Sequence, residues 1–130
     1  MKKITEKNIL GQELKPCCQN PVTGFFRDGF CRTDNTDHGT HVICAIVTEK
    51  FLSFTKDHGN DLSTPNNLFG FPGLKHGDRW CLCASRWKEA WQAGAAPFID
   101  ATATHEKTLQ IIDKNILLEY RINTNANVKN

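Results

Sequence analysis

A chain of 130 residues with 39% hydrophobic and 23% charged residues can bury one core, and its length predicts a single domain. Sixteen basic and 14 acidic residues give a net charge of +2 without a clustered basic face, so no nucleic acid is expected as a partner. No stretch approaches the roughly 18 uninterrupted apolar residues of a spanning helix, so no membrane partner is expected either.

The first ten residues, MKKITEKNIL, carry the lysines of an export signal without the apolar core that should follow them. We therefore expect a cytoplasmic protein. In that compartment the six cysteines should stay reduced, and reduced cysteine often behaves as a small buried hydrophobic residue. Buried structural cysteine is accordingly the leading interpretation of each thiol.

Residues 1–40 are rich in turn-forming residues and predict mostly irregular structure. The run HVICAIV, residues 41–47, is β-branched and nearly all apolar, which predicts a central strand covered on both faces. Thr48 then has the character of an N-cap and Gly59 that of a C-terminal stop, so a helix is expected from about 49 to 58.

Residues 59–78 are dense in Gly, Pro, Asn and Asp, which predicts a long ordered loop. Loops of this length in a compact domain are often functional. Residues 79–84 are expected to form a second strand, and a helix should follow that Ser85 caps and Gly94 ends.

The last third of the chain gives weaker signals. Residues 97–103 predict a third strand. Thr104 is expected to cap a helix from 105 to about 112, and Asp113 is expected to cap another.

Together these elements predict an α+β fold in one domain spanning residues 1–122. We expect two layers, a small mixed β-sheet with helices mainly on one face, and long ordered loops. The tail, residues 123–130, has almost nothing to bury and is expected to be flexible.

The second strand brings two thiols and a cation to one side. Because side chains alternate along a strand, Arg79, Cys81 and Cys83 should share a face. Cys81 and Cys83 would then lie roughly 6.5–7 Å apart at Cβ, too far for a direct bridge without a bend. If the first strand is the neighbour, Cys44 can face this pair, and three thiols can meet on one sheet surface.

The leading functional hypothesis is a pocket for a small polar or anionic molecule near the 59–78 loop and the 79–84 strand. Asp61 and His105 are the candidate catalytic residues, as groups that could move protons. The candidate ligand-binding residues are Asn60, Thr64, Arg79, Cys81, Cys83 and Thr104. No cofactor, reaction type or oligomeric state is predicted, and whether the chain is an enzyme stays open.

Two alternatives stay open beside the pocket. One is a thiol-dependent or metal-binding protein using Cys44, Cys81 and Cys83, although no cysteine spacing matches a zinc ribbon and no metal site is the primary expectation. The other is a non-catalytic protein-interaction module. The segment TDHGTH, which holds Asp37 and His41, fits either turn chemistry or a site.

Four segments resemble one known family: PVTGFFRDGFC, HVICAIVTEKFLSFTKDHGNDLSTP, FGFPGLKHGDRWCLCASRWKEAWQAGAAP and ATHEKTLQ. They closely resemble the domain of unknown function 2237 family of small bacterial proteins, from about Gly11 to Tyr120. The chain departs at FIDATATH, where members usually read more like PVVLEATH, so that Phe98 replaces a proline and Thr102 a glutamate. The resemblance implies a compact two-layer α/β fold and brings no established activity, cofactor or catalytic residue.

Overall fold

The computed structural model describes residues 6–19, 22–66, 68 and 71–122. Three strands form one sheet in the order β2-β1-β3, and they are β1 (His41–Ile46), β2 (Arg79–Cys83) and β3 (Phe98–Ile99). The α+β class and the central position of β1 are confirmed. Both strand pairings are antiparallel, so the expected mixed sheet is wrong. The long loop before β2 lets the chain return to either end of β1, so the element order did not fix the strand direction.

The helices are α1 (Glu49–Asp57), α2 (Ala84–Gln92) and α3 (Lys114–Glu119), with 3-10 turns at Ala101–Ala103 and Glu106–Gln110. The predicted limits of α1 are confirmed, because the Thr48 hydroxyl accepts the Phe51 N–H at 3.0 Å and Gly59 is left-handed at φ 91°. Asp113 caps α3 as predicted. None of the helices in the described residues has the length and apolar composition that a membrane span requires.

Two predicted caps are wrong. Ser85 lies inside the first turn of α2, since β2 runs directly into the helix and Cys83 is the N-cap residue. The helix expected after Thr104 is a 3-10 turn capped by His105, whose Nδ1 accepts the Lys107 N–H at 3.0 Å. The Thr104 hydroxyl instead donates to the Asp100 carbonyl at 2.8 Å, deep in the structure.

The third strand is shorter than predicted. It ends at Ile99, because the Asp100 carboxylate accepts the backbone N–H of Thr102 and starts the turn that follows. The predicted flexible tail, residues 123–130, lies outside the described residues.

The two faces of the sheet bury different material. The cross-strand partners Ile43 and Leu82 lie on one face, and the next pair, Cys44 and Cys81, lies on the other. The first face belongs to the main core, whose helical members include Phe51, Leu52, Trp87, Ala90 and Leu117. The second face carries a separate buried cluster of four cysteines and Ala103. The cysteine side of β2 therefore points away from the apolar helices, as alternation predicts.

Two disulfides join the irregular N-terminal segment to this second face. Cys17 is bonded to Cys44 of β1, and Cys31 is bonded to Cys81 of β2. The expectation that all six thiols stay reduced is therefore wrong for four of them. Cys18 is free and half-buried, as is Cys83. The N-terminal segment has few regular elements, and these bridges hold it against the sheet.

Candidate functional site

An open cleft of about 450 Å³ lies between the N-terminal segment, the 59–78 loop and β2. Its lining includes Arg27, His41, Asp61, Phe71, Trp80 and Cys81. The volume falls within the range of sites for small molecules, and the lining combines an apolar wall with a few charged groups. The cleft therefore lies in the region where the sequence predicts a pocket.

Aromatic rings form much of the cleft wall. The rings of Phe71 and Trp80 meet edge to face, with centroids 5.2 Å apart. On the N-terminal side, the Phe25 ring is stacked nearly parallel to the His41 imidazole at 6.5 Å. The Arg27 guanidinium lies 5.3 Å from the centroid of the Trp80 ring. A flat, partly apolar ligand would find contact surfaces on both sides.

Arg27 is held in a conformation that is uncommon for its residue type. Its φ is 54°, in the left-handed region. One guanidinium amino group donates to the Gly24 carbonyl at 2.6 Å. An added Cβ at Gly24 would collide with the Phe30 carbonyl, so only glycine fits this turn. The turn therefore aims the Arg27 side chain at the cleft.

His41 reaches the cleft from the start of β1. The strand register slips between His41 and Ile43, and such bulges re-aim side chains. The His41 Nδ1 lies 2.7 Å from a carboxylate oxygen of buried Asp37, whose other oxygen accepts the His41 backbone N–H at 2.8 Å. With Nδ1 donating to Asp37, the imidazole offers Nε2 as an acceptor.

The environment of Asp37 favours its charged form. Burial opposes ionisation, but the backbone N–H and ring of His41, with the Thr33 hydroxyl, outweigh it and hold the pKa of Asp37 below its ordinary value. Asp37 therefore keeps a negative charge behind the His41 ring at neutral pH, which orients that ring.

Asp61 lies at the rim, within its own turn. Its carboxylate accepts the Thr64 hydroxyl at 2.6 Å and the backbone N–H groups of Ser63 and Thr64. The Thr64 hydroxyl, followed by these N–H groups, lowers the pKa of the Asp61 carboxyl. This arrangement makes Asp61 a fixed charge at neutral pH.

Contacts at both ends of the predicted loop hold the residues of it that the structure describes. The Asn60 side chain donates to the Thr55 hydroxyl at 3.1 Å, and the Asn60 N–H donates to the Thr55 carbonyl at 2.8 Å. Further along, the Leu74 N–H donates to the Leu62 carbonyl at 2.7 Å. Asn60 thus anchors the loop to α1, while Thr64 holds Asp61.

Six of the predicted catalytic and ligand-binding residues lie outside the cleft lining, including Asn60 and Thr64 of the loop. Arg79 pairs with Asp100 on the cysteine face of the sheet. The Cys83 thiol lies 3.1 Å from the Ser85 hydroxyl. Thr104 is fully buried. His105 is 8% exposed, with its Nε2 3.1 Å from a Glu6 carboxylate oxygen.

The structure brings Asp61 and Cys81 together in the cleft and adds residues that the sequence did not single out. Arg27 and Trp80 are the main additions, and His41 was only an ambiguous candidate. The i, i+4 spacing of Asp37 and His41 was the available signal for that pair. No local pattern indicates that Arg27 lies over Trp80, because more than 50 residues separate them in the chain.

Fold and site together define a small α+β domain with a disulfide-linked sheet and an open cleft of mixed polarity. The family described as an uncharacterised protein conserved in bacteria, domain of unknown function 2237, matches residues 7–121. The chain belongs to this family, which confirms the resemblance drawn from its sequence. No curated protein matches the chain.

Proposed function

We propose that this protein binds a small polar molecule with an anionic group in the cleft beside Trp80. The observation that carries the proposal is the convergence of Arg27, His41 and Trp80 on one opening of about 450 Å³. Binding sites of this size commonly join an apolar wall to a small number of placed polar groups.

Arg27 supplies the anion contact. A guanidinium has five N–H donors in a planar fork, and the Gly24 carbonyl occupies one side of this one. The remaining donors suit a carboxylate or a phosphate monoester. The Trp80 ring beneath the guanidinium limits its motion, so less side-chain entropy is lost on binding.

His41 supplies the second polar contact. Asp37 fixes the ring, and the side chain stays 40% exposed toward solvent. Its Nε2 can accept a proton or a hydrogen bond from a ligand hydroxyl, which is the feature that a catalytic role would use. Asp61 adds a fixed negative charge at the rim, suited to a donor group on the ligand.

Titration with benzoate and phenyl phosphate, followed by Trp fluorescence and amide NMR shifts, tests the proposal. At least one probe should bind with a Kd of about 1 mM or lower and shift the amides of Arg27, His41 and Trp80. Because hydrogen bonds to charged groups are worth about 1.5–3 kcal/mol, Arg27→Gln should weaken binding by about tenfold or more.

Arg121→Gln is the matched control. Arg121 is exposed and bridges to β3, at the opposite edge of the sheet from β2. The Arg121→Gln variant should bind benzoate and phenyl phosphate with the same affinity as the wild type. The proposal is wrong if neither probe shifts these amides, or if both arginine variants lose binding equally.

A further inference from the structure

The four bonded cysteines form one cluster of sulfurs. Cys17, Cys31, Cys44 and Cys81 are all buried. The Sγ atoms of Cys17, Cys31 and Cys81 lie within 4.8 Å of one another, although Cys17 belongs to one disulfide and the other two to the second. Since Cys44 is bonded to Cys17, all four sulfurs share one small volume.

This spacing is close to that of a tetrahedral thiolate site. Zinc binds cysteine sulfur at about 2.3 Å, so the sulfurs of a site with four cysteine ligands lie about 3.8 Å apart. Once the two S–S bonds open, the bonded sulfurs must separate. The Cys44 Sγ, which does not lie within 4.8 Å of both the Cys31 and the Cys81 Sγ, must also approach them. Rotation about the side-chain bonds provides movements of this size, and the backbone can remain where it is.

The backbone presents two of the four cysteines from a firm support, the pair of strands β1 and β2. Cys44 and Cys81 are direct partners on neighbouring strands. The Cα atoms of Cys17 and Cys44 lie 5.6 Å apart, and those of Cys31 and Cys81 lie 5.3 Å apart. A site built on paired strands keeps its ligands in place better than one built on loops alone.

The cluster also has a neighbouring cation. A zinc ion with four thiolates carries a net charge of −2, and a buried charge needs a nearby partner. The Arg79 guanidinium lies 3.8 Å from the Cys44 Sγ and also pairs with Asp100. Arg79 therefore offsets part of the charge that a metal-thiolate group would place there.

We propose that Cys17, Cys31, Cys44 and Cys81 form a tetrathiolate site for a divalent zinc-like cation when both disulfides are reduced. A dithiol reductant gives two electrons and two protons to each disulfide and is itself oxidised to a disulfide. The four resulting thiols then release four protons as their sulfurs bind the metal. Thiolates select zinc over the harder magnesium and calcium ions.

This ligand set differs from Cys44, Cys81 and Cys83, the set that the sequence offered as an alternative. Cys83 belongs to the sequence-based set, but its thiol contacts Ser85 and lies outside the buried cluster. Cys17 and Cys31 take part instead, and only the folded N-terminal segment brings them to the sheet. Cys18 and Cys83, both free, provide matched controls in the same chain.

Cobalt serves as the spectroscopic probe. Wild-type protein is reduced with dithiothreitol, and the reductant is then removed under anaerobic conditions. We expect this protein to bind one Co²⁺ per chain and to show tetrahedral d–d bands and sulfur-to-cobalt charge transfer. Added Zn²⁺ should displace the cobalt and erase these bands. Protein kept oxidised should show neither the d–d bands nor the charge-transfer bands when cobalt is added. Wild-type protein in its two redox states supplies this comparison without any variant.

Variants then assign the ligands. Cys18→Ser and Cys83→Ser should bind cobalt as the wild type does, while Cys31→Ser should lose charge-transfer intensity and bind at least about tenfold more weakly. Loss of a supporting residue alone costs a metal site about 10- to 100-fold, so that figure is a floor for a ligand. No cobalt binding by reduced wild type, or full loss in Cys83→Ser, would overturn the proposal.

Discussion

Asp37 links the stability of the protein to pH. Folding lowers the pKa of its carboxyl, so the group contributes stability above its unfolded-state pKa. That contribution is lost as the pH falls through the lower, folded-state pKa. The pH window is therefore acidic, below the ordinary carboxyl value of 3.8.

We expect Asp37→Asn to lower the free energy of unfolding at pH 7 by about 2 kcal/mol, because charge-assisted hydrogen bonds to His41 and Thr33 are lost. The difference from wild type should shrink as the pH drops below about 4. Urea unfolding at pH 7 and pH 3 measures both values. Asp57→Asn, at an exposed position of α1, is the control and should show no such loss. If the stability difference between Asp37→Asn and wild type is the same at pH 7 and pH 3, the Asp37 carboxylate does not link stability to pH.

Asp100 joins two parts of the structure through one carboxylate. It pairs with Arg79 and also accepts the N–H and hydroxyl of Thr102. The Arg79 Nε is buried and has no partner among the described residues, so removing the carboxylate leaves that cation still less satisfied. We expect Asp100→Ala to cost about 3 kcal/mol in urea unfolding.

Asp113→Ala provides the comparison for Asp100. Asp113 also caps a helix, but it is exposed. Loss of an exposed cap should cost about 1 kcal/mol. If Asp100→Ala and Asp113→Ala lower the free energy of unfolding equally, the ion pair between Asp100 and Arg79 adds no stability beyond that of a cap.

At the scale of elements, the 59–78 loop is shaped by a glycine with no room for a side chain. Gly73 has φ 81°, and an added Cβ would collide with the Ser63 carbonyl. Gly77 has φ 95° with no atom within 4 Å of that position. The two glycines therefore separate the cost of a left-handed backbone from the cost of a collision.

We expect Gly77→Ala to cost about 1 kcal/mol, the penalty of a left-handed conformation for alanine. Gly73→Ala should cost clearly more and should also shift the NMR signals of cleft residues such as Asp61, since the Ser63 turn must move. Chemical unfolding and amide shifts measure the two effects. If both variants lose the same free energy of unfolding and the Asp61 signal does not shift, the loop accommodates the Gly73→Ala methyl group without moving the Ser63 turn.

The elements that the sequence predicted well are those with local causes. The strand at 41–47 follows from a continuous apolar run, and α1 follows from a cap at Thr48 and a stop at Gly59. The sequence predicts an α-helix capped by Thr104 where the structure has a 3-10 turn. The Thr104 hydroxyl is bound to Asp100 instead of capping a helix, and the sequence does not show that tertiary contact. The disulfide pairs and the Arg27 contact with Trp80 also depend on which segments meet in space, and no spacing within one segment encodes that.

At the scale of the whole molecule, the disulfides should carry a large share of the stability. They link residues 27 and 50 positions apart. Closing loops of this length removes enough entropy from the unfolded chain to stabilise a protein by about 3–4 kcal/mol per bridge. The N-terminal segment has little regular structure to hold it otherwise.

We therefore expect Cys31→Ala with Cys81→Ala to lower the free energy of unfolding by about 3 kcal/mol in non-reducing urea. Limited proteolysis should cleave first within residues 22–40, the part released from the sheet. Cys18→Ala is the matched control and should leave both measurements unchanged. A double variant as stable and protease-resistant as wild type would contradict this role.

The two bridges cross in chain order, since Cys17 and Cys31 both precede Cys44, and Cys81 comes last. During synthesis from the N-terminus, the first correct bridge can close while Cys31 still has no partner on the nascent chain. Any oxidant that acts at that moment can give Cys31 only an incorrect partner. The Cys31–Cys81 bridge can therefore close only after Cys81 has left the ribosome, whereas the Cys17–Cys44 bridge can close earlier.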